Sequence, residues 1–184
     1  TFDPHPHQVI CPDKSMGLLT TLDEKAELLD SHGIDNLLVI NFNDQFRRLS
    51  SEEFVRDYLV GKLGIKSMIV GYNHHFGHNR SGSYDHLEPL HNELGFALTK
   101  VNKFDNGSGK ISSTEVRKLL NSGQVDIAAK LLEYQYFISG SVDLNGKFAI
   151  NSNLKIIPCE GTYQVMVNDN SMLVKIDSKK QIPL

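Results

Sequence analysis

The chain has 184 residues and a mass of 20.6 kDa, enough for one good domain or one domain with a small appendage. Its 19 Lys and Arg against 22 Asp and Glu give a net charge of −3 and a pI near 6.2, without the positive excess of a general nucleic-acid binder. A hydrophobic content of 40% with 22% charged residues argues against wholesale disorder, and no apolar run approaches a membrane span.

Cys11 and Cys159 lie far apart. They make neither a disulfide framework nor a zinc pattern, and they fit a reducing cytoplasm, the expected location. The chain opens on Thr1-Phe2-Asp3-Pro4-His5-Pro6 with no basic-then-apolar signal segment. That opening reads as the end of a strand entering a turn, so the sequence is expected to be a fragment that continues upstream.

In chain order, residues 19–33 predict a helix. Thr21 and Glu24 fit a capping box, Leu22, Ala26, Leu28 and Leu29 supply an apolar face, and Gly33 is placed to end it. The run Leu37-Leu38-Val39-Ile40 predicts a strand buried on both faces. Ser50 and Glu53 make a second capping box before Phe54, Val55, Tyr58 and Leu59, and Gly64 follows. Residues 67–71 predict a second buried strand. Ser83 starts a helix through Leu87, Leu90 and Leu94, stopped by Gly95, and a strand follows from Phe96 to Val101.

Strands thus fall near residues 1, 37, 67 and 97 with helices between them, a spacing of about 30 residues that suits βαβ units. The expectation is an α/β fold with an open parallel sheet and right-handed connections. Ligands bind such sheets beyond the carboxyl ends of the strands, in the loops at 3–8, 41–49, 71–82 and 102–113.

From Ser113 to about Tyr134 the pattern is helical in two pieces divided by Asn121-Ser122-Gly123. After Tyr136 only short strand candidates remain, at residues 137–138, 147–150, 162–167 and 172–176, with Asn145-Gly146 and Asn168-Asp169-Asn170 as hairpin turns. The acidic excess lies before residue 136. A domain over 1–135 and a small β-rich segment over 136–184 are therefore expected.

The loop at 71–82 holds three glycines that permit close approach of a ligand, Asn73 as donor and acceptor, and Arg80 to pair with phosphate; it reads equally as a flexible polar turn. At 105–117, the stretch Asp105–Lys110 reads as mobile, and Ile111-Ser112-Ser113-Thr114-Glu115-Val116-Arg117 opens a helix with Ser112 or Ser113 as N-cap. Hydroxyls and free N–H groups at a helix start attract anions, and Arg117, about one turn in, could reach the same anion; plain capping beside a surface arginine explains the residues as well. Pro4 and Pro6 make a rigid ledge that walls a flat ring or turns the chain. His74 and His78 sit among glycines without a nearby cysteine, so no metal site is assigned. No GxSxG elbow or Walker-type loop occurs.

Taken in order, these segments resemble the bacterial bifunctional riboflavin kinase/FMN adenylyltransferase family (prokaryotic FAD synthetase). The segments are residues 1–6, Leu19–Lys25, Val70–Gly77, Asn79–Gly82 and Ile111–Arg117, followed by Gly123 and Ala128–Tyr136. The resemblance implies a Rossmann-like nucleotidyltransferase domain, with FMN and ATP as small-molecule substrates, magnesium as cofactor, and FAD and pyrophosphate as products. It also implies flavin cofactor biosynthesis as the setting; the acidic balance and the lack of a long apolar run argue against nucleic acid and membrane as partners. Ser112, Ser113, Thr114 and Arg117 take the positions that grip ATP, with Arg117 and Thr114 at the reacting phosphates. Asn73, Pro4, Pro6 and Arg80 make the FMN set.

The family's GxFDGxHxGH segment would lie upstream of Thr1. Its Pro-Thr-Ala-Asn stretch has only Asn153 as a counterpart, although residues 155–163 resemble the strand that follows. The tail is thus expected to be a partial kinase-like β domain, which makes riboflavin kinase activity by this chain doubtful. The competing functions are a non-catalytic flavin- or nucleotide-binding homologue and an adenylyltransferase for another phosphate-bearing cofactor precursor.

Overall fold

The structure, a computed structural model, describes residues 1–12, 16–103, 111–142, 147–178, 180 and 182–183. The chain runs β1 (Phe2–Asp3), α1 (Pro6–Ile10), α2 (Leu22–Ser31), β2 (Ile40–Asn41), α3 (Ser51–Glu53), β3 (Ser67–Gly71), α4 (Tyr84–Leu94), β4 (Ala97–Val101), α5 (Ser113–Asn121) and α6 (Val125–Leu132). Five strands follow: β5 (Gly140–Val142), β6 (Lys147–Ile150), β7 (Gly161–Val167), β8 (Asn170–Ile176) and β9 (Ile182–Pro183). Packing groups the chain into two compact units, Thr1–Cys11 with Val39–Gly107, and Pro12–Leu38 with Ser108–Leu184.

In the first unit β1 pairs in parallel with β2, and β3 in parallel with β4, Ser67 opposite Ala97 and Gly71 opposite Val101. A parallel pair needs a crossover, and α4 supplies it for β3 and β4. The Ser83 hydroxyl accepts from the His86 amide at its start, and Gly95 ends it at φ 73°, a left-handed conformation open to glycine. Before β3, Ser50 and Glu53 form the expected capping box. The helix then widens over Phe54–Lys62, where the Leu63 amide reaches back five residues to Tyr58 O. Val55, Val70, Leu87 and Phe96 form the core; burying a side chain such as Leu87 contributes about 1.5–3 kcal/mol.

The runs at 37–40 and 67–71 are not buried on both faces. Only Ile40 of the first run enters a strand, and Leu38 and Val39 are exposed. In β3 Val70 faces the core while Ile69 is 70% exposed. Alternate residues of a strand point to opposite faces, and an apolar run does not reveal which faces are covered. Among the described residues, the parallel strands form two separate pairs rather than one hydrogen-bonded sheet.

In the second unit α2 begins with the Thr21–Glu24 capping box. Its buried residue is Glu24, whereas Ala26 of the expected apolar face is exposed. Helices α5 and α6 pack through Val116, Leu119, Leu120 and Ala128 onto Ile156. The C-terminal strands form an antiparallel sheet in the order β5-β6-β9 and a β7–β8 hairpin. Asn168 and Asp169, both at positive φ, make the two-residue turn. Val174, Ile176 and Ile182 are buried together against Phe148 and Val165. Residues 137–138 are not in a strand, and the Asn145-Gly146 turn and the Asp105–Lys110 stretch lie outside the described residues. No helix among the described residues is long and apolar enough to cross a membrane, and both thiols are free.

Candidate functional site

In the first unit, the loop after β3 is closed on itself and tied to the start of α3. The His74 amide donates to Gly71 O at 3.1 Å, and Phe76 and Gly82 exchange both backbone hydrogen bonds, at 3.1 and 2.8 Å. The His78 amide donates to Leu49 O at 2.9 Å, and the Ser51 and Ser81 hydroxyls lie 3.4 Å apart. Gly77 has φ 74°, and a Cβ there would meet the Ser51 backbone, so this turn requires glycine. Asn73 is exposed between the end of β3 and this closure, and Arg80 is exposed at φ 59°.

The loop after β1 starts α1. The His5 ring accepts from the His7 amide, the Gln8 side chain accepts from the His5 amide, and Pro6 occupies the first helical position. Pro4 is exposed and Pro6 half-buried. A run of rings links this region to the post-β3 loop. Phe2 lies against Phe42 and Phe46, Phe46 against Phe54 and Tyr58, Phe54 against Tyr58 and Phe76, and Phe76 under His74, with centroids 5.3–6.2 Å apart. Such pairs stabilise beyond their buried area. No pattern along the sequence announces this cluster, although Phe42 and Phe76 each follow a strand. Burial, then the like charge of His75, draws His74 below the ordinary histidine range.

In the second unit Ser112 is the N-cap of α5, its hydroxyl accepting from the Glu115 amide at 3.2 Å. Ser113 and Thr114 follow, exposed in the first turn. Arg117, one turn in, is half-buried, and its Nε donates to Gly17 O at 3.0 Å. Burial draws its pKa below the ordinary arginine value, opposed by Tyr136. The structure thus groups Ser112, Ser113, Thr114 and Arg117 at one helix start, and Asn73, Arg80, Pro4 and Pro6 in the strand-end loops of the other unit. An open cleft of about 680 Å³ lined by Asp126, Lys130, Glu133 and Tyr134 contains none of them. Among the described residues no three His, Cys, Asp or Glu side chains are grouped to hold a metal ion.

The family model described as FAD synthetase matches residues 1–115, which takes in every one of these candidates except Arg117. The bifunctional riboflavin kinase/FMN adenylyltransferase of Escherichia coli (strain K12) is 36% identical over 141 residues, 77% of this chain and 45% of that protein. Its counterpart in Listeria monocytogenes is 36% identical over 143 residues, again 77% and 45%. That of Pseudomonas fluorescens is 32% identical over 176 residues, 91% and 56%. The chain spans about half the length of the curated relatives it matches. A crystal structure titled macrolide-efflux protein, from Streptococcus pneumoniae, shares the fold, with a TM-score of 0.80 over 99% of this chain and 70% of that one, at 22% identity.

Proposed function

The chain belongs to the FAD synthetase family, and on that premise we propose that it serves FMN adenylyl transfer, in which ATP and FMN give FAD and pyrophosphate in the cytoplasm. A phosphate oxygen of FMN attacks the α-phosphorus of ATP, and the bond from that phosphorus to the pyrophosphate oxygen breaks. Such a step needs alignment and neutralisation of spreading charge more than covalent help.

At the start of α5 the hydroxyls of Ser113 and Thr114 and the first-turn N–H groups offer donors to the triphosphate. Arg117 supplies the fixed positive charge, and Ser112 holds the helix start in shape. Asn73 orients FMN, Arg80 pairs with its phosphate, and Pro4 and Pro6 wall the flavin ring, with the linked aromatic rings stiffening both loops beneath. Mg²⁺ would be supplied with ATP, where oxygen ligands of the phosphates suit it and it would offset their charge; no residue of this chain is assigned to hold it. We further propose a Rossmann-like nucleotidyltransferase domain over 1–135 and a partial kinase-like β domain over 136–184. No riboflavin kinase step is assigned to the C-terminal strands.

The observation that carries this reading is the coincidence of the family match over 1–115 with the loops after β1 and β3 and the start of α5. Incubation of the full-length protein with FMN, ATP and Mg²⁺, followed by chromatography, is expected to yield FAD and pyrophosphate in equal amounts. FMN and ATP bound without product would point instead to the non-catalytic binding homologue.

A further inference from the structure

Within the second unit, a chain of polar contacts runs from the interior to Arg117. The carbonyl that receives Arg117 Nε belongs to Gly17, and the next two residues are pinned. The Leu18 amide donates to Leu154 O at 2.7 Å and the Ile156 amide to Leu18 O at 2.9 Å, a parallel bridge across Lys155. Lys155 Nζ donates to Leu19 O at 2.7 Å and to Glu24 Oε2 at 2.6 Å. Glu24 accepts in addition from the amides of Thr21 and Ser139, at 2.9 and 2.8 Å. Both side chains of the ion pair are essentially enclosed, 1% exposed for Lys155 and 0% for Glu24. The Tyr136 ring lies 4.3 Å from Lys155 Nζ, and its hydroxyl donates to Ile156 O at 2.7 Å. At Gly17 a Cβ would run into Ile156 Cγ1, so the segment lies against that residue at backbone distance.

A buried ion pair is a poor device for stability, because desolvation offsets most of its Coulomb gain. Here Lys155 Nζ holds the Leu19 carbonyl, next to the Leu18 amide bond to Leu154 O that holds the peptide plane carrying the Gly17 carbonyl. A guanidinium is a rigid planar fork, so anchoring Nε restricts the direction of the two Nη groups. We propose that the buried Glu24–Lys155 pair, acting through the Gly17–Leu19 backbone, is a positioning element for Arg117 and sets the orientation in which its guanidinium meets the ATP phosphates. The proposal rests on the reading of Arg117 as an ATP contact. Glu24, Lys155 and Gly17 are positioning residues that touch no substrate themselves.

Calorimetric ATP affinity and steady-state KM values of the full-length protein decide the matter. Three changes are compared: Arg117→Ala; Glu24→Gln together with Lys155→Met, which leaves no lone buried charge; and Gly17→Ala, whose Cβ would meet Ile156 Cγ1 and so disturbs the segment while both charges of the ion pair are kept. The paired change and Gly17→Ala are each expected to weaken ATP about ten-fold, as small misplacements of binding groups do, with FMN affinity held within about two-fold. Added to Arg117→Ala, neither change is expected to weaken ATP further, the non-additivity of residues acting through one another. ATP affinity unmoved by both changes while the thermal midpoint falls overturns the proposal, as does a full additional loss on top of Arg117→Ala. ATP affinity unmoved by Arg117→Ala refutes the assignment of Arg117 itself, a separate result from the previous two. Should the paired variant not fold, Gly17→Ala alone carries the same comparison.

Discussion

The Glu24 carboxylate is enclosed yet accepts from Lys155, Thr21 and Ser139. Burial pushes its pKa up, but the three hydrogen bonds outweigh burial and hold it below the ordinary carboxylate value. Lys155 is drawn down by its own burial, with Glu24 opposing. The folded-state pKa of Glu24 lies below its unfolded value of about 4.3, so the native state binds fewer protons. Its stabilisation is complete above about pH 4.3 and fades as pH falls through the lower folded value. Urea midpoints measured from pH 6 downward are expected to fall less steeply in acid for the Glu24→Gln, Lys155→Met pair than for the parent; equal slopes would remove Glu24 from that transition. At Asn73, exposed beyond β3, replacement by Ala is expected to raise the FMN KM about ten-fold, the worth of a hydrogen bond to a charged group. The ATP KM is expected to hold within about two-fold. Unchanged FMN kinetics would take Asn73 out of the site.

At the scale of elements, the first turn of α5 carries both the Ser112 cap and the proposed ATP contacts. Ser112→Ala is expected to cost about 1 kcal/mol through loss of the cap. Ser112→Asp restores a cap oxygen but places a negative charge where polyphosphate would bind. Its thermal midpoint is therefore expected to recover while ATP affinity does not; recovery of both would separate this helix start from ATP. Helix starts were legible in the sequence because their causes are local: Thr21 with Glu24, Ser50 with Glu53, Ser83 and Ser112 each satisfy amides within three residues. Partnerships across the chain were not. Glu24 was legible as a capping residue, but its partner Lys155 lies 131 residues away, and nothing in α2 announces a buried charge. Strand β5, Gly140-Ser141-Val142, carries no alternating apolar pattern, and β9 has only two residues, so their pairing with β6 left no periodic signal. The ring cluster draws Phe2, Phe42, Phe46, Phe54 and Phe76 from five segments, and only the fold brings them into contact.

At the scale of the whole molecule, the chain leaves the first compact unit after Cys11 and returns to it at Val39. The strand-end loops assigned to FMN belong to the first unit and the helix start assigned to ATP to the second. Adenylyl transfer needs the attacking FMN oxygen about 3–3.5 Å from the α-phosphorus of ATP. A crystal structure of the full-length protein with FMN and a non-hydrolysable ATP analogue measures this directly. The expected result is Asn73 against FMN, Thr114 and Arg117 against the triphosphate, and the FMN phosphate in line with the α-phosphorus. Ligands seated far apart, or triphosphate density away from the start of α5, would contradict it.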